Sequence, residues 1–157
     1  MVSWDDDASA GGWIAERLGP FGPRVDGTVP RGYAAYACVP HPDGYGCEEE
    51  VAAAQAEAWD QLATTLVERP AAPMLLLPHR EYHLWTGTLA DVAAFRHHDQ
   101  SPNLWWPEDR SWFVGSEIDA AATYLGGSEA LVDAVCAEAP LGAYRVAPSD
   151  EMLFEDD

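Results

Sequence analysis

Residues 101–119 read SPNLWWPEDRSWFVGSEID, and the alternation inside this stretch decides the fold. Three of the chain's seven tryptophans lie here, at 105, 106 and 112. LWW and RSWFVGSEI carry the aromatic and β-branched residues that suit strands, and Pro107-Glu108-Asp109 between them has turn composition. Strands joined by so short a connection run antiparallel. Successive strand side chains point to opposite faces, so Trp105 and Trp106 cannot both enter one core. The same alternation sets Trp112, Val114 and Ser116 on one face, with Phe113, Gly115 and Glu117 on the other.

Working outward, Ala122 to Leu125 reads as a further strand, and Gly126-Gly127 as a break after it. Ser128 can cap a helix through about Ala139, with Leu131, Val132 and Val135 inward and Pro140 as its stop. AYRV, residues 143–146, is a last strand. On the other side, Thr88 with Asp91 resembles a capping box, which predicts a short helix over LADVAAFR. MLLLP (74–78) reads as a short buried strand, EYHLWTG (81–87) as a second strand or its continuation, and YAAYACV (33–39) as a strand up to Pro40. Ser9 opens a helix through about Leu18, with Trp13, Ile14 and Leu18 inward. The stretch GPFGPRVDGTVPRG that follows has the Gly and Pro punctuation of irregular chain. EEEVAAAQAEAWDQLATTLVE, residues 48–68, carries the most regular helical pattern. Val51, Ala54, Ala58, Leu62 and Leu66 form its apolar stripe, and Glu49, Glu50, Glu57, Asp60 and Glu68 fall on the other side.

This order of elements predicts an α+β fold: a mainly antiparallel sheet of about four to five strands, with about three to four helices packed on it. An acidic tail (1–8), a single globular domain (9–148) and a second acidic tail (149–157) are expected, the last partly disordered from Pro148.

The chain has 157 residues, with 27 Asp and Glu against eight Arg and no Lys, a formal net charge of −19. The body stays acidic when both tails are set aside. Such a surface repels nucleic-acid phosphates and anionic membranes, and it draws in a basic partner. No apolar run is long enough to cross a bilayer, and the start of the chain lacks a basic-then-apolar leader, so a cytoplasmic place is expected.

Chemistry-bearing motifs are few. Phosphate-binding glycine loops, H-E-x-x-H and G-x-S-x-G are absent, so no cofactor is expected. Cys38, His41 and Cys47 make C-x2-H-x5-C, one ligand short of a structural zinc site, and no metal is expected. His79 and His83, four apart on a strand, lie about 13 Å apart, too far to share a metal. The aromatic tract reads first as packing, with Asp109 and Arg110 in the turn and Trp112 and Phe113 straddling a two-sided core; its functional alternative is an acid-rimmed tryptophan cleft. In it Trp105 and Trp106, joined by His83 and Trp85, would present ring faces, while Glu117 and Asp119 hold a polar or cationic end. Two residues apart on one strand, those carboxylates share a face about 6–7 Å apart, a spacing that permits acid–base work.

The tract PNLWWPEDRSWFVGSEID, with EYHLWTGTLADVAAF before it and AAATYLGGSEALVDAV after it, resembles a family of actinobacterial proteins of unknown function, over roughly residues 28–148. The resemblance implies a GC-rich bacterial source, consistent with the missing lysine and the abundant Ala, Gly and Pro, and implies no activity. The ADP-ribosyltransferase pattern is not met, because HLWTG lacks the strand arginine and FVGS is not S-T-S. Two functions follow as expectations. The first is a non-enzymatic, inhibitor- or immunity-like module whose acidic surface, including Glu49, Glu57 and Asp60, meets a basic protein. The alternative is a small-molecule binder or small enzyme using the tryptophan cleft.

Overall fold

In chain order the strands are β1 (Ser3–Trp4), β2 (Ala35–Pro40), β3 (Leu75–Leu77), β4 (Arg80–Tyr82), β5 (Trp85–Thr86), β6 (Leu104–Trp105), β7 (Phe113–Ser116), β8 (Ala122–Gly127) and β9 (Tyr144–Val146). The helices are α1 (Ser9–Arg17), α2 (Leu89–Ala94) and α3 (Glu129–Ala137), with 3-10 turns at Val25–Gly27 and Ala139–Leu141. The computed structural model describes residues 3–4, 9–41, 74–77, 80–94, 102–117 and 119–154. The expected helix over 48–68 lies outside them. Among the described residues, no helix is long and apolar enough to cross a membrane.

The fold is α+β, as its order of elements predicts. Five strands form one sheet in the order β6-β7-β8-β2-β9, and every neighbouring pair is antiparallel. β1 pairs with β5, and β3 with β4, in separate two-stranded sheets. The chain divides into two compact units. The larger comprises Ala8–His41, Leu76–Glu81 and Asn103–Asp157, and it holds the five-stranded sheet with α1 and α3. The smaller comprises Met1–Asp7, Pro42–Leu75 and Tyr82–Pro102; β1, β5 and α2 belong to it.

Helix α3 covers one face of the sheet. It starts where Ser128 Oγ accepts the Leu131 N–H at 3.2 Å. Its apolar stripe then brings Leu131, Val132, Val135 and Cys136 onto Ala35, Ala37, Val114 and Leu125. Pro140 falls in the 3-10 turn just beyond, and Gly142, at φ +58°, closes that turn. In the smaller unit α2 begins as its sequence predicts. The Thr88 N–H and O–H both donate to Asp91 Oδ2 at 2.8 Å, which holds the Asp91 carboxyl down at about 2.

The opposite face is covered by the segment expected to be merely irregular. Val25, Val29 and Pro30 are fully buried there with Asp26. Thr28 and Val29 lie over Gly115 and Gly126. The glycine-rich end of β8 is also not a break. Gly126 and Gly127 pair with Phe113, Tyr36 and Ala35 inside the sheet. A Cβ on Gly126 would fall 2.5 Å from Tyr33 Cδ2, and one on Gly127 would fall 2.8 Å from Leu131 Cδ2. Glycine is needed because a ring and a leucine press on the strand from its two faces.

Three further expectations are corrected. EYHLWTG is not one strand, since β4 and β5 are separated at His83-Leu84. Leu76 alternates outward at 68% exposure between buried Leu75 and Leu77, so MLLLP is not buried throughout. The segment from Pro148, expected to be partly disordered, is tied into the larger unit as far as Phe154. Val25 N–H donates to Asp150 O (3.0 Å), Met152 N–H to Pro23 O (2.6 Å) and Ala121 N–H to Leu153 O (2.9 Å). Its side chains are polar enough to suggest a tail, but Met152 is buried and accepts the Thr28 hydroxyl at 3.3 Å.

Candidate functional site

The β6–β7 hairpin is closed by the Arg110 N–H donating to Pro107 O at 2.9 Å. Arg110 itself sits at φ +58°, a left-handed conformation that costs a non-glycine residue about 1–2 kcal/mol. Three contacts hold it there: the turn bond, the Tyr33 hydroxyl donating to its carbonyl at 3.2 Å, and its guanidinium 5.0 Å above the Trp13 ring. Asp109 accepts the Ser111 N–H at 2.9 Å, which lowers its carboxyl below the usual range.

Before the turn, Trp105 of β6 and Trp106 just after it part as alternation requires. Trp105 meets Trp112 edge to face at 5.2 Å, on the side of α3. Trp106 stacks on Phe113 at 5.3 Å with ring planes 7° apart, and Phe113 in turn lies 6.3 Å from Trp13. Arg17 joins Arg110 over Trp13, at 5.5 Å. Trp105, Trp106 and Trp112 are half-buried, Trp105 and Trp112 against each other and Trp106 against Phe113. They belong to two layers on opposite sides of the sheet and do not line one shared cleft. Burial pushes the Tyr33 phenol beside this stack up to about 12, with neighbouring Tyr36 adding to the rise.

The acidic rim has a partner that the sequence reading did not supply. Glu117 forms an ion pair with Arg80 Nη2, and Asp119 Oδ2 lies 3.9 Å from the same nitrogen. The Arg80 guanidinium also lies 5.9 Å from the centre of the Phe21 ring. Arg80 therefore neutralises Glu117, which is not left to act on a reacting atom, while Asp119 stays 76% exposed at the edge of the pair. His83 and Trp85 belong to the smaller unit, where their rings meet edge to face at 5.8 Å. Trp105, Trp106, Glu117 and Asp119 belong to the larger one. Glu49, Glu57 and Asp60 lie outside the described residues. Of the C-x2-H-x5-C residues, Cys38 is buried on β2, His41 Nε2 lies 3.1 Å from Thr123 Oγ1, and Cys47 is outside the described residues.

Sequence reasoning missed the most deeply placed charge, Asp26, which is 1% exposed. Its Oδ2 accepts Arg31 Nε–H (2.8 Å), Arg31 Nη2–H and Arg24 Nη2–H (3.1 Å). Its backbone N–H donates to Pro148 O at 2.9 Å, and its carbonyl accepts the Gly19 N–H at 2.6 Å. The carboxylate rests on Gly19, where a Cβ would fall 2.7 Å from Asp26 Cγ. The ion cluster thus joins the exit of α1, the 3-10 turn and the 148–154 segment. Its signal was present in RVDGTVPR, an acid between two arginines, but no periodicity marks it as buried.

Every arginine among the described residues is engaged within the chain. Arg17 pairs with Glu16, Arg24 and Arg31 with Asp26, Arg80 with Glu117, and Arg145 with Glu129 (2.7 Å) and Asp133 (2.6 Å). Arg110 lies over Trp13. Glu81, Glu108, Glu138 and Glu151 are exposed and have no arginine partner among the described residues. No protein-family model matches this chain, and neither a curated protein nor a solved structure does.

Proposed function

We propose that this chain is a non-enzymatic acidic protein-binding module, inhibitor- or immunity-like toward a basic partner. The observation that carries the reading is the engagement of every described arginine inside the chain, against a formal net charge of −19. Carboxylates therefore dominate what is left to face outward. A field of one sign accelerates encounter with an oppositely charged protein and repels phosphate backbones and anionic lipid. A working place in the cytoplasm of a GC-rich bacterium, within the actinobacterial family that residues 101–119 resemble, belongs to the same proposal.

The tryptophan-cleft reading has less support. Trp105 and Trp106 are divided between two faces, and Glu117 with Asp119 shares Arg80. Neither arrangement favours stacking on a ligand or acid–base work.

The test is capture of partners by the immobilised full chain from a lysate of the source organism, identification by mass spectrometry, and association kinetics at rising salt. The captured partner is expected to be basic. Its association rate should fall at least tenfold between about 0.1 M and 1 M salt, as the screening length shrinks from about 10 Å to 3 Å. A salt-independent rate, or a captured set without basic bias, refutes the proposal.

A further inference from the structure

We infer that the outer edge of β9 is the docking site of this chain's partner, taking an extended, lysine- or arginine-bearing segment of that protein as a sixth strand beside residues 143–145. The inference rests on the reading of the chain as a binder of a basic protein, and it names the backbone that makes the contact.

Among the described residues, β9 is an outer strand of the five-stranded sheet and pairs with β2 alone. The bonding side of each residue follows from the register. The His41 N–H donates to Ala121 O at 2.8 Å, one step beyond the Pro40–Ala122 pair, so the odd-numbered residues of β2 bond toward β8. The even-numbered Tyr36 and Cys38 then bond toward Val146 and Tyr144. This directs the N–H and C=O of Arg145 away from the sheet, with those of Ala143 two residues earlier. Ala147, on the same edge, is already closed. Its N–H donates to Asp150 Oδ2 at 2.8 Å, and its carbonyl accepts the Asp150 N–H at 3.0 Å. Among the described residues, no hydrogen bond takes up the outward groups of Ala143 and Arg145.

A basic side chain in mid-edge is a common guard against strand addition. Here the guard is drawn aside. Glu129 and Asp133 of α3 hold the Arg145 guanidinium at 2.7 and 2.6 Å. Arg145 lies opposite Ala37, which packs under α3, so its side chain goes to the helix-covered face and not over the backbone edge. Tyr144, on the other face, is 44% exposed and offers its ring to the side chains of an added strand.

Free N–H and C=O groups on a held strand recognise an extended backbone, whatever its side chains. Charge then selects the protein that supplies it. The chain carries −19 overall, and Asp150, exposed at the closed end of the edge, has no arginine partner among the described residues. A second copy of the chain would bring a further −19 to the same edge, whereas a segment with lysine or arginine is drawn to it.

The test uses the full chain and two synthetic peptides of equal positive charge, about seven residues long and alternating lysine with threonine. One has a normal backbone. The other is N-methylated at every residue, which removes each N–H that an added strand donates. Affinity is read by fluorescence anisotropy at low salt, and the chain's amide exchange is followed residue by residue by NMR with and without peptide. The normal peptide is expected to bind about tenfold more tightly than its methylated twin. With it bound, the Arg145 amide should exchange about tenfold more slowly, while Tyr144 and Val146, already bonded to β2, change little. Equal affinity of the two peptides, or a bound normal peptide that leaves the Arg145 amide unprotected, overturns the edge assignment while the acidic-surface reading stands. Protection of Arg145 that grows with chain concentration in the absence of peptide means that a second copy occupies the edge, and it overturns the assignment to a basic partner. A chain that binds neither peptide also overturns the edge assignment, and capture from lysate then decides the acidic-surface reading on its own.

Discussion

Replacing Asp26 by Asn tests whether the buried carboxylate holds the larger unit together. The two side chains have the same shape, so the change removes charge and one acceptor and little else. Oδ2 accepts three N–H groups from Arg24 and Arg31, whereas Oδ1 is buried with no hydrogen-bond partner. The amide must therefore turn its oxygen toward the arginines and leave its NH2 where nothing accepts it. Loss of charge-assisted bonds at a buried group costs about 1.5–3 kcal/mol, and breaking a fully buried pair costs about 3–5 kcal/mol. The guanidiniums are half exposed, at 47% and 52%, and once released they turn to water, which moves the expectation to about 2–3 kcal/mol. At about 2–4 °C per kcal/mol for a chain of this size, the unfolding midpoint should fall by roughly 5–10 °C. Arg31→Ala removes two of the three donated bonds and Arg24→Ala one, so the losses should rank Asp26→Asn, then Arg31→Ala, then Arg24→Ala. Thermal and urea unfolding followed by circular dichroism would measure this. A midpoint unchanged or raised by Asp26→Asn refutes the reasoning, since it would mean that the desolvation of Asp26 outweighs what the arginines return. A reversed order of the two arginines would refute the geometry.

Trp105 and Trp112 offer a second check. Trp112→Ala should cost about 2–4 kcal/mol, because the ring is half-buried against the α3 cluster, and a double-mutant cycle with Trp105→Ala should give a coupling of about 0.5–1.5 kcal/mol for the edge-to-face pair. Additive losses in urea unfolding would mean that the two rings do not pack on each other. Tyr33 sets an alkaline limit. Its phenol is raised to about 12 in the folded chain against about 10 unfolded, so its contribution is complete below about pH 10 and is lost as pH rises through 12. Tyr33→Phe should flatten that loss, and an ultraviolet titration should find one fewer tyrosine ionising late; a Tyr33 that ionises near 10 contradicts its burial.

What the sequence made legible was whatever depends on neighbours a few residues away. Ser128 with Leu131, and Thr88 with Asp91, are local bonds, and both were readable as helix starts. The parting of Trp105 and Trp106 follows from strand geometry alone and holds in the fold. What was not legible depends on distant groups. Gly126 and Gly127 look like a break until Tyr33 and Leu131 are placed against them. Glu117 and Asp119 look like a free acid pair until Arg80, 37 residues before Glu117, reaches across to them. Asp26 and its arginines are close in sequence, yet only the packing of residues 148–152 over residues 23–26 makes that acid a buried one.

The same non-local packing changes how the chain's acidity can be probed. Residues 149–157 look from composition like a detachable acidic tail, and their removal looks like a simple subtraction of charge. In the fold, Met152 fills the core beneath Thr28, and the backbone from Asp150 to Leu153 bonds to residues 23–25, 121 and 124. Truncation there strips the cover from Val25 and Tyr124 as well as removing carboxylates. Any loss of binding would then report unfolding as much as charge. Side-chain substitutions separate the two. Asp150 Oδ2 caps the Ala147 N–H at 2.8 Å and is part of the turn, whereas the Glu151 side chain is exposed and has no arginine partner among the described residues. Among the described residues of this segment, the charge that can be removed without losing a side-chain contact therefore sits at Glu151 and not at Asp150. Acidity can be tested there apart from folding.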